Sequence, residues 1–452
     1  MDMRHIATIK IESLTPSAVG GPDPNTHDDI FRVTSLRGLA AWWLRAIVSG
    51  AAYDKGDKNH DEKAIQAQKR VFGATSKSSL IIVKTKDYTT RKVDIQPLKN
   101  IGKKGRLVIE HIRLKLLLMG KENSSKKNSM LSRMLKNFNA TITVYSSAKK
   151  CELEEVLGLH AIILSLLLGG LGKGSRRAMG AVKISSVELS QRVKEFLQKE
   201  GCGGLLQISQ KVDEKMLKTI IDDARKIAEK MLKEGVLGDI QTGELPSFPK
   251  IPSLSKKAAE IYVKKLEELR NMSCEKRLAT LNSEILEKLF LRDARDLERL
   301  PNILQKTVKK DKVSEATALG SYILGLPREA KKPPKDHRCR VIFNTNTTIR
   351  SKKKASIVEE VPQERDEQYS GFVKFNDKDK EYEHYRRPSP VIVSLLDEQT
   401  VVITFLKSSD WPEELQWFTT REKEVEARGI NDAYKQVSEY LSKNYQKIWP
   451  CD

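Results

Sequence analysis

The most informative part of the sequence is a glycine-rich loop, residues 169–180, with the sequence GGLGKGSRRAMG. Glycine permits positive φ and leaves backbone N–H groups open to close approach by a phosphate. The lysine and arginine side chains of this stretch add hydrogen-bond donors, and an arginine can bind a phosphate in a bidentate manner. The pattern therefore predicts a phosphate-binding loop in which both arginines contribute little to packing. The expected contacts are Gly172, Lys173, Gly174, Ser175, Arg176 and Arg177.

Two nucleotide-binding motifs are excluded at this loop. A P-loop requires G-x-x-x-x-G-K-[ST], whereas Gly172-Lys173 is followed here by Gly174. A dinucleotide-binding loop lies between a first strand and a helix, whereas this loop runs from a predicted helix into a predicted strand. The alternative is a flexible turn with incidental charge, and the adjacent arginine pair favours phosphate binding over it.

A second candidate segment, residues 32–45, has the sequence RVTSLRGLAAWWLR. Thr34-Ser35 predicts a helix N-terminus, and a strongly apolar helix is expected to follow, from Leu36 to about Val48. At most one of the two adjacent tryptophans is expected to be free to stack on a base, and burial in the core is favoured for each. Three arginines of the segment are candidate phosphate contacts: Arg32, Arg37 and Arg45.

Residues for catalysis are not evident. No paired carboxylates have the spacing of a metal site, and the five scattered cysteines form neither a C-x-x-C pair nor a Cys/His ligand set. We therefore predict no metal, no cofactor and no enzyme activity. Of the seven histidines, His160 falls in a predicted buried helix, and only His384 lies beside adjacent arginines that suit a phosphate ligand. These neighbours, Arg386 and Arg387, are further candidate phosphate contacts.

The elements that position these residues form a recognisable order. Apolar alternation predicts a strand at 5–15, and helical periodicity predicts a helix after it and a buried helix at 152–168. Further strands are predicted at 78–84, 109–118, 140–145 and 181–189. The predicted order is strand, helix, two or more strands, helix and strand. This is the order of the ferredoxin-like split β-α-β unit, which RNA-recognition domains also use.

The chain divides into three predicted domains, and the fold class is α+β. Residues 1–190 are expected to form one ferredoxin-like (RRM-like, βαββαβ) unit, and residues 191–315 a helical insertion that includes 258–272. Residues 316–452 are expected to form a degenerate second ferredoxin-like unit, in which 385–407 supplies two strands and a terminal helix follows.

The charge balance identifies the class of partner. Lysine and arginine number 81 against 60 aspartate and glutamate, which gives a formal net charge of +21. A polyanion is therefore expected, nucleic acid first and an anionic membrane surface second. No apolar stretch reaches spanning length, and the N-terminal residues lack the apolar core of a signal peptide. We expect a cytoplasmic protein without a membrane partner.

Several motifs along the chain occur together in one known family. They are Gly20-Gly21, R-x-T-S-L-R-G-x-x-x-W-W-x-R at 32–45, V-F-G-x-x-x-x-S-S at 71–79, the glycine-rich loop, Leu324-Gly-Leu-Pro327 and Arg386-Arg-Pro-Ser-Pro390. The combination resembles the RAMP superfamily of CRISPR proteins. Within it, the sequence is similar to the first-numbered subunit family of the type III-B Cmr RNA-targeting complex. The family's usual Leu-Arg pair ahead of the tryptophans is Leu39-Ala40-Ala41 here, so no arginine contact is expected from that turn.

The resemblance implies a function as well as a fold. It implies two ferredoxin-like halves and a non-catalytic subunit that binds single-stranded guide or target RNA near the guide 3′ end in antiviral defence. Other Cmr subunits would be its partners and would carry target cleavage. One alternative is a metal-independent CRISPR RNA-processing endoribonuclease of the same superfamily, in which a histidine often acts as general acid or base. Another is a basic RNA-binding protein outside CRISPR defence.

Overall fold

The computed structural model describes most of the N-terminal half of the chain and separate stretches of the C-terminal half. The described residues are 3–18, 32–74, 78–92, 135–149, 151–172, 174–208, 212–237, 253–286, 289, 373–377, 380–385, 390–407, 414–418, 424–428 and 430–450. They fall into two compact units, one from residues 1–283, 391–409 and 445–452, the other from 284–390 and 410–444. The predicted strand at 109–118 lies outside the described residues.

Helices and strands alternate along the described chain. They are β1 (Arg4–Ser13), β2 (Ser17–Ala18), α1 (Val33–Asp54), α2 (His60–Phe72), β3 (Ile81–Lys92), β4 (Leu135–Ser146), α3 (Leu153–Leu167), β5 (Val182–Leu189), α4 (Gln191–Lys199), α5 (Glu214–Lys233), β6 (Ala259–Lys265), α6 (Cys274–Leu281), β7 (Val373–Asp377), β8 (Lys380–Tyr385), β9 (Val391–Leu395), β10 (Thr400–Leu406), β11 (Glu414–Phe418), β12 (Glu424–Arg428), α7 (Ile430–Asn444) and β13 (Gln446–Trp449). The predicted α+β class is confirmed. None of the described helices is both long and apolar enough to cross a membrane.

The first sheet has the strand order of a ferredoxin-like fold. β1 lies between β4 and β5, β4 also pairs with β3, and all of these pairs are antiparallel. The short β2 pairs with the first residues of β4. Counted along the chain, the four long strands lie in the spatial order fourth, first, third, second. Apolar and polar residues alternate along β1, so one face of the strand packs into the core and the other does not. Ile9 and Ile11 are buried, while Lys10 and Glu12 are exposed.

The helices of this unit cover one face of the sheet. Every residue of α3 is buried, as its apolar sequence predicts. Gly158 allows the close approach of α3, because a Cβ there would lie 2.2 Å from Cδ1 of Ile81 and 2.6 Å from Cγ1 of Val71. Helix α1 begins earlier than predicted, so Thr34 and Ser35 lie within its first turn instead of capping it.

A second antiparallel sheet in the same compact unit has the strand order β13-β6-β10-β9. Along the chain this is again fourth, first, third, second. Its central strand β6 occupies residues 259–265, for which helix was predicted, so that prediction is wrong. Ile261, Tyr262 and Val263 are buried in succession, so side chains on both faces of β6 are covered. The predicted strands within 385–407 are confirmed as β9 and β10.

Part of the predicted helical region is helical. Helices α4 and α5 lie within it, and Asp213 caps α5 by accepting a hydrogen bond from the Met216 N–H at 2.7 Å. The second compact unit contains a third sheet with the order β12-β11-β7-β8, and α7 is the predicted terminal helix. The predicted domain limits themselves stay predictions.

Candidate nucleic-acid interface

The glycine-rich loop is anchored to the turn between β1 and β2. The loop closes on itself through a hydrogen bond from the Leu171 N–H to the Gly180 carbonyl, 2.8 Å long. The Gly180 N–H in turn donates to the Pro16 carbonyl at 2.9 Å. The Ser17 hydroxyl donates to the Leu171 carbonyl at 2.5 Å. The loop is therefore a defined structure held by backbone groups and not a flexible turn.

Two of its glycines are required by this packing. Gly172 has a φ of +90°, and a Cβ there would lie 2.5 Å from the Ala18 carbonyl oxygen. Gly180 has a φ of +65°, and its Cβ would lie 2.0 Å from the carbonyl oxygen of Leu171. Backbone packing therefore accounts for glycine at both positions. The predicted RNA contact of Gly172 stays a prediction.

Arg177 is a buried structural residue, which corrects the expectation that both loop arginines contribute little to packing. It is 7% exposed, and its Nη1 donates to the Val391 carbonyl at 2.9 Å. On either side of it, the Val393 N–H donates to the Arg176 carbonyl at 3.1 Å and the Ala178 N–H donates to the Val393 carbonyl at 2.8 Å. The loop thus pairs with β9 and joins the first sheet unit to the second sheet.

Arg176 points away from this pairing. Its guanidinium carbon lies 4.9 Å from the ring centroid of Trp42, within the range of a cation–π contact. Both side chains are half-buried. Trp42 packs edge-on against Trp43, with ring centroids 5.1 Å apart and an interplanar angle of 85°. Burial of Trp43, at 1% exposure, is confirmed, whereas Trp42 reaches the surface beneath Arg176.

The loop and α1 together form one exposed surface. Gly38 is four residues before Trp42, so the two lie on the same helical face. Gly38 is exposed, and a Cβ there would meet nothing within 4 Å. Gly174 is exposed and Ser175 half-buried on the loop side. We call these five residues, Gly38, Trp42, Gly174, Ser175 and Arg176, the loop–helix surface.

The three arginines predicted on α1 have different positions. Arg32 is the N-cap residue of the helix, and no acidic residue lies in the first turn. Arg37 is exposed, and its Nη2 donates to the carbonyl of Phe72, the last residue of α2. This carbonyl lies at the negative end of the α2 dipole, which favours a cation beside it. Arg45 is half-buried and donates to Gln68 Oε1, and burial lowers its pKa.

Other predicted contacts cannot be located on this surface. Lys173, Arg386 and Arg387 lie outside the described residues. His384 lies in β8, in register with Lys374 of β7. The alanines that replace the family's arginine, Ala40 and Ala41, are buried.

Two of the described histidines have buried side chains. His160 is fully buried, its Nδ1 lies 2.9 Å from the Val156 carbonyl oxygen, and burial lowers its pKa to about 4. His60 is buried and its Nδ1 lies 2.9 Å from the Ser49 hydroxyl. In the part of the chain that the structure describes, no cluster of three or more His, Cys, Asp or Glu side chains has the arrangement of a metal site. The loop–helix surface offers one cation, Arg176, with an aromatic ring beneath it and the exposed backbone of its glycines.

A family model matches much of this part of the sequence. Residues 10–183 match the model of the RAMP superfamily, over β1 to the start of β5 and including the loop. The resemblance to the RAMP superfamily, which was inferred from the sequence motifs, is thus confirmed. A comparison with curated proteins finds no match.

Three similar solved structures cover nearly the whole chain, beyond the RAMP segment. Cmr1 from Pyrococcus furiosus in its apo form is 18% identical with a TM-score of 0.46, covering 98% of each chain. A chain of the type III-B Cmr-beta bound to cognate target RNA is 13% identical with a TM-score of 0.54, covering 97% of this chain and 99% of that one. A second Cmr-beta structure, with target RNA and AMPPnP in the presence of ssDNA, gives 12% identity, a TM-score of 0.49 and coverages of 97% and 100%. The match with a TM-score of 0.54 shows a shared fold.

Proposed function

We propose that this protein is a non-catalytic RNA-binding subunit of a type III-B Cmr effector complex. Guide or target RNA would lie on the loop–helix surface, near the guide 3′ end. The observation that carries the proposal is the Arg176 guanidinium, held 4.9 Å over a half-buried tryptophan in a RAMP loop. An arginine in this position offers N–H donors to a phosphate, and the aromatic ring beneath it holds the guanidinium in place.

Charge and fold likeness support this role. The formal net charge of +21 favours a polyanion over an acidic protein surface as the principal ligand. The solved neighbour that shares the fold is part of a Cmr-beta bound to cognate target RNA. RNA and other Cmr subunits are therefore the proposed partners, and the cytoplasm is the proposed location.

Replacing Arg176 with alanine should weaken binding of single-stranded RNA about tenfold. The variant loses a charge-assisted hydrogen bond to a phosphate, which contributes roughly 1.5–3 kcal/mol, partly offset by solvent at an exposed surface. The slope of log affinity against log salt should also become shallower by about 0.7, the value for one lost single-strand phosphate contact. Fluorescence anisotropy with labelled RNA over a salt series measures both quantities.

Arg270→Ala is the matched control for this experiment. Arg270 is an exposed arginine of the same compact unit, outside the RAMP segment. The Arg270→Ala variant removes the same charge and should change affinity less than twofold, since Arg270 is not part of the loop–helix surface and an exposed charge that does not contact the ligand is screened by salt. Equal losses in the two variants would show that net charge alone binds the RNA, and no loss in Arg176→Ala would contradict the proposed site.

The purified chain should not cleave RNA, with or without divalent metal. A general base must be within hydrogen-bond reach of the reacting group, whereas His160 and His60 are buried in the fold and the exposed His5 has its Nε2 2.8 Å from the Thr8 hydroxyl. Incubation of the chain with CRISPR repeat RNA, with and without a chelator, followed by gel analysis tests this expectation. A cut at one defined position that disappears in a His384→Ala variant would favour the endoribonuclease alternative.

A further inference from the structure

The first sheet has an open face on the side away from α1 and α3. Cross-strand partners point to the same face of a sheet, so the pairing assigns side chains to each face. Ile9 of β1 and Val144 of β4 are fully buried on the helix side. On the other side, Lys10 is exposed and Tyr145 is half-buried.

One end of this open face is covered by the rest of the same unit. Glu275 of α6 accepts a hydrogen bond from Asn137 Nδ2 at 2.7 Å. At the same end, the Lys183 ammonium lies 2.5 Å from Glu398, in the turn between β9 and β10. Among the described residues, these contacts lie at the far end of the face from the start of β1, where His5 is exposed.

A row of three side chains crosses this exposed end. In the sheet register, His5 of β1 lies opposite Tyr145 of β4, and Tyr145 lies opposite Ile82 of β3. His5 is exposed and Ile82 is half-buried. The His5 ring packs edge-on against Tyr145, with centroids 6.0 Å apart at 75°. We call these three residues the Tyr145 row.

One face of the Tyr145 ring is occupied by a lysine ammonium. The Lys84 ammonium lies 5.3 Å from the Tyr145 centroid, and Lys84 is an exposed residue of the edge strand β3. A cation in that position occupies the place where an aromatic base would stack. A lysine side chain is flexible, so a base can displace its ammonium, which then remains close enough to pair with a phosphate of the same strand.

Lys84 is the cation closest to the ring. On this face the exposed cations near the row are Lys10 of β1 and Lys84 of β3, and the exposed carboxylates are Asp87 of β3 and Glu188 of β5. An aromatic ring with a cation beside it is the combination that binds single-stranded nucleic acid without reading its sequence.

We propose that the Tyr145 row is a second RNA site, at which one unpaired base stacks on Tyr145 while Lys84 pairs with a neighbouring phosphate. The inference rests on the proposed RNA-binding function and extends the path of the RNA. The anchor of the glycine-rich loop, at Thr15 to Ser17, is about ten residues further along β1 and its following turn, roughly 30 Å away. A single RNA strand that reaches both surfaces gains affinity from each.

Tyr145→Ala in the full chain tests the site. It should weaken single-stranded RNA binding about tenfold, because base–aromatic stacking is lost, and Tyr145→Phe should retain wild-type affinity. A fully paired RNA duplex offers no unpaired base, so its affinity should not change in Tyr145→Ala. Arg176→Ala should weaken the binding of both single-stranded and duplex RNA. Fluorescence anisotropy with the two RNAs of identical sequence supplies all four comparisons.

The outcomes separate this inference from the proposed function. If wild-type protein does not bind single-stranded RNA, both fail. If Arg176→Ala weakens RNA binding and Tyr145→Ala does not, the second RNA site is contradicted, and the Tyr145 row is better explained as a contact for a partner protein. Should Tyr145→Ala fail to fold, photocross-linking of wild-type protein to 5-iodouridine RNA decides. An adduct on Tyr145 supports the site, and adducts only elsewhere overturn it.

Discussion

Asp54→Ala is expected to lower the free energy of unfolding by about 3–5 kcal/mol, the range for removing one partner of a buried ion pair. Asp54 is the last residue of α1, and its Oδ2 lies 2.6 Å from Nη2 of Arg225 on α5. The Arg225 side chain is 3% exposed. Without Asp54, a buried guanidinium loses its close counter-charge and cannot recover it from water.

Asp54 also fixes the backbone that leads into β6. It accepts a hydrogen bond from the Ser255 hydroxyl, and another from the Lys256 N–H at 2.8 Å. The Leu254 carbonyl completes this junction by accepting from Arg225 Nη1 at 2.5 Å. The variant therefore breaks a network that holds α1, α5 and the start of the second sheet together.

Glu229→Ala is the matched control, because Glu229 contacts the same arginine. Its Oε1 lies 3.5 Å from Arg225 Nη2, and its side chain is 38% exposed. An exposed pair at this distance contributes less than about 1 kcal/mol. Urea unfolding followed by circular dichroism measures both variants. If Asp54→Ala and Glu229→Ala lower the free energy of unfolding by the same small amount, the Asp54 network does not stabilise the fold.

Arg177→Ala is expected to lower the free energy of unfolding by about 2–3 kcal/mol. Its buried guanidinium donates to the Val391 carbonyl, and hydrogen bonds to a charged group contribute roughly 1.5–3 kcal/mol. Arg177→Lys should restore only part of the loss, since an ammonium lacks the planar fork of donors. Arg176→Ala should cost less than about 1 kcal/mol, the value of an exposed cation–π contact.

Thermal unfolding of the two loop variants gives the comparison. A large loss in Arg177→Ala with a small one in Arg176→Ala is the expected result. The reverse order would mean that Arg176 holds the loop and that Arg177 is available to ligand. The single Arg176 variant is therefore the suitable RNA-binding probe, because a double substitution would combine lost contacts with a displaced loop.

Local patterns in the sequence predict the elements that obey them. The alternation in β1 and the apolar run of α3 each reflect burial along one element, so neighbouring residues carry the information. Strand β6 was mistaken for helix for a physical reason. Three consecutive residues, Ile261 to Val263, are buried because both faces of the strand are covered, so the polar–apolar alternation of a half-buried strand is absent, and the charges of Lys264 and Lys265 at its end imitate a helical pattern.

The roles of the two loop arginines could not be told apart from the sequence. Arg176 and Arg177 are identical neighbours, and what separates them is β9, more than 200 residues further along the chain. The same holds for Trp42, whose surface role depends on a guanidinium from the loop. Such contacts are set by tertiary structure, and no local spacing encodes them.

The most direct test of the proposed site is to ask which part of the chain touches bound RNA. A photoreactive amino acid placed at Ser175, in the loop, should cross-link to single-stranded RNA on irradiation. The same group at Lys199, an exposed residue at the end of α4, should not. Cross-linking at Lys199 with none at Ser175 would contradict RNA binding at the loop–helix surface.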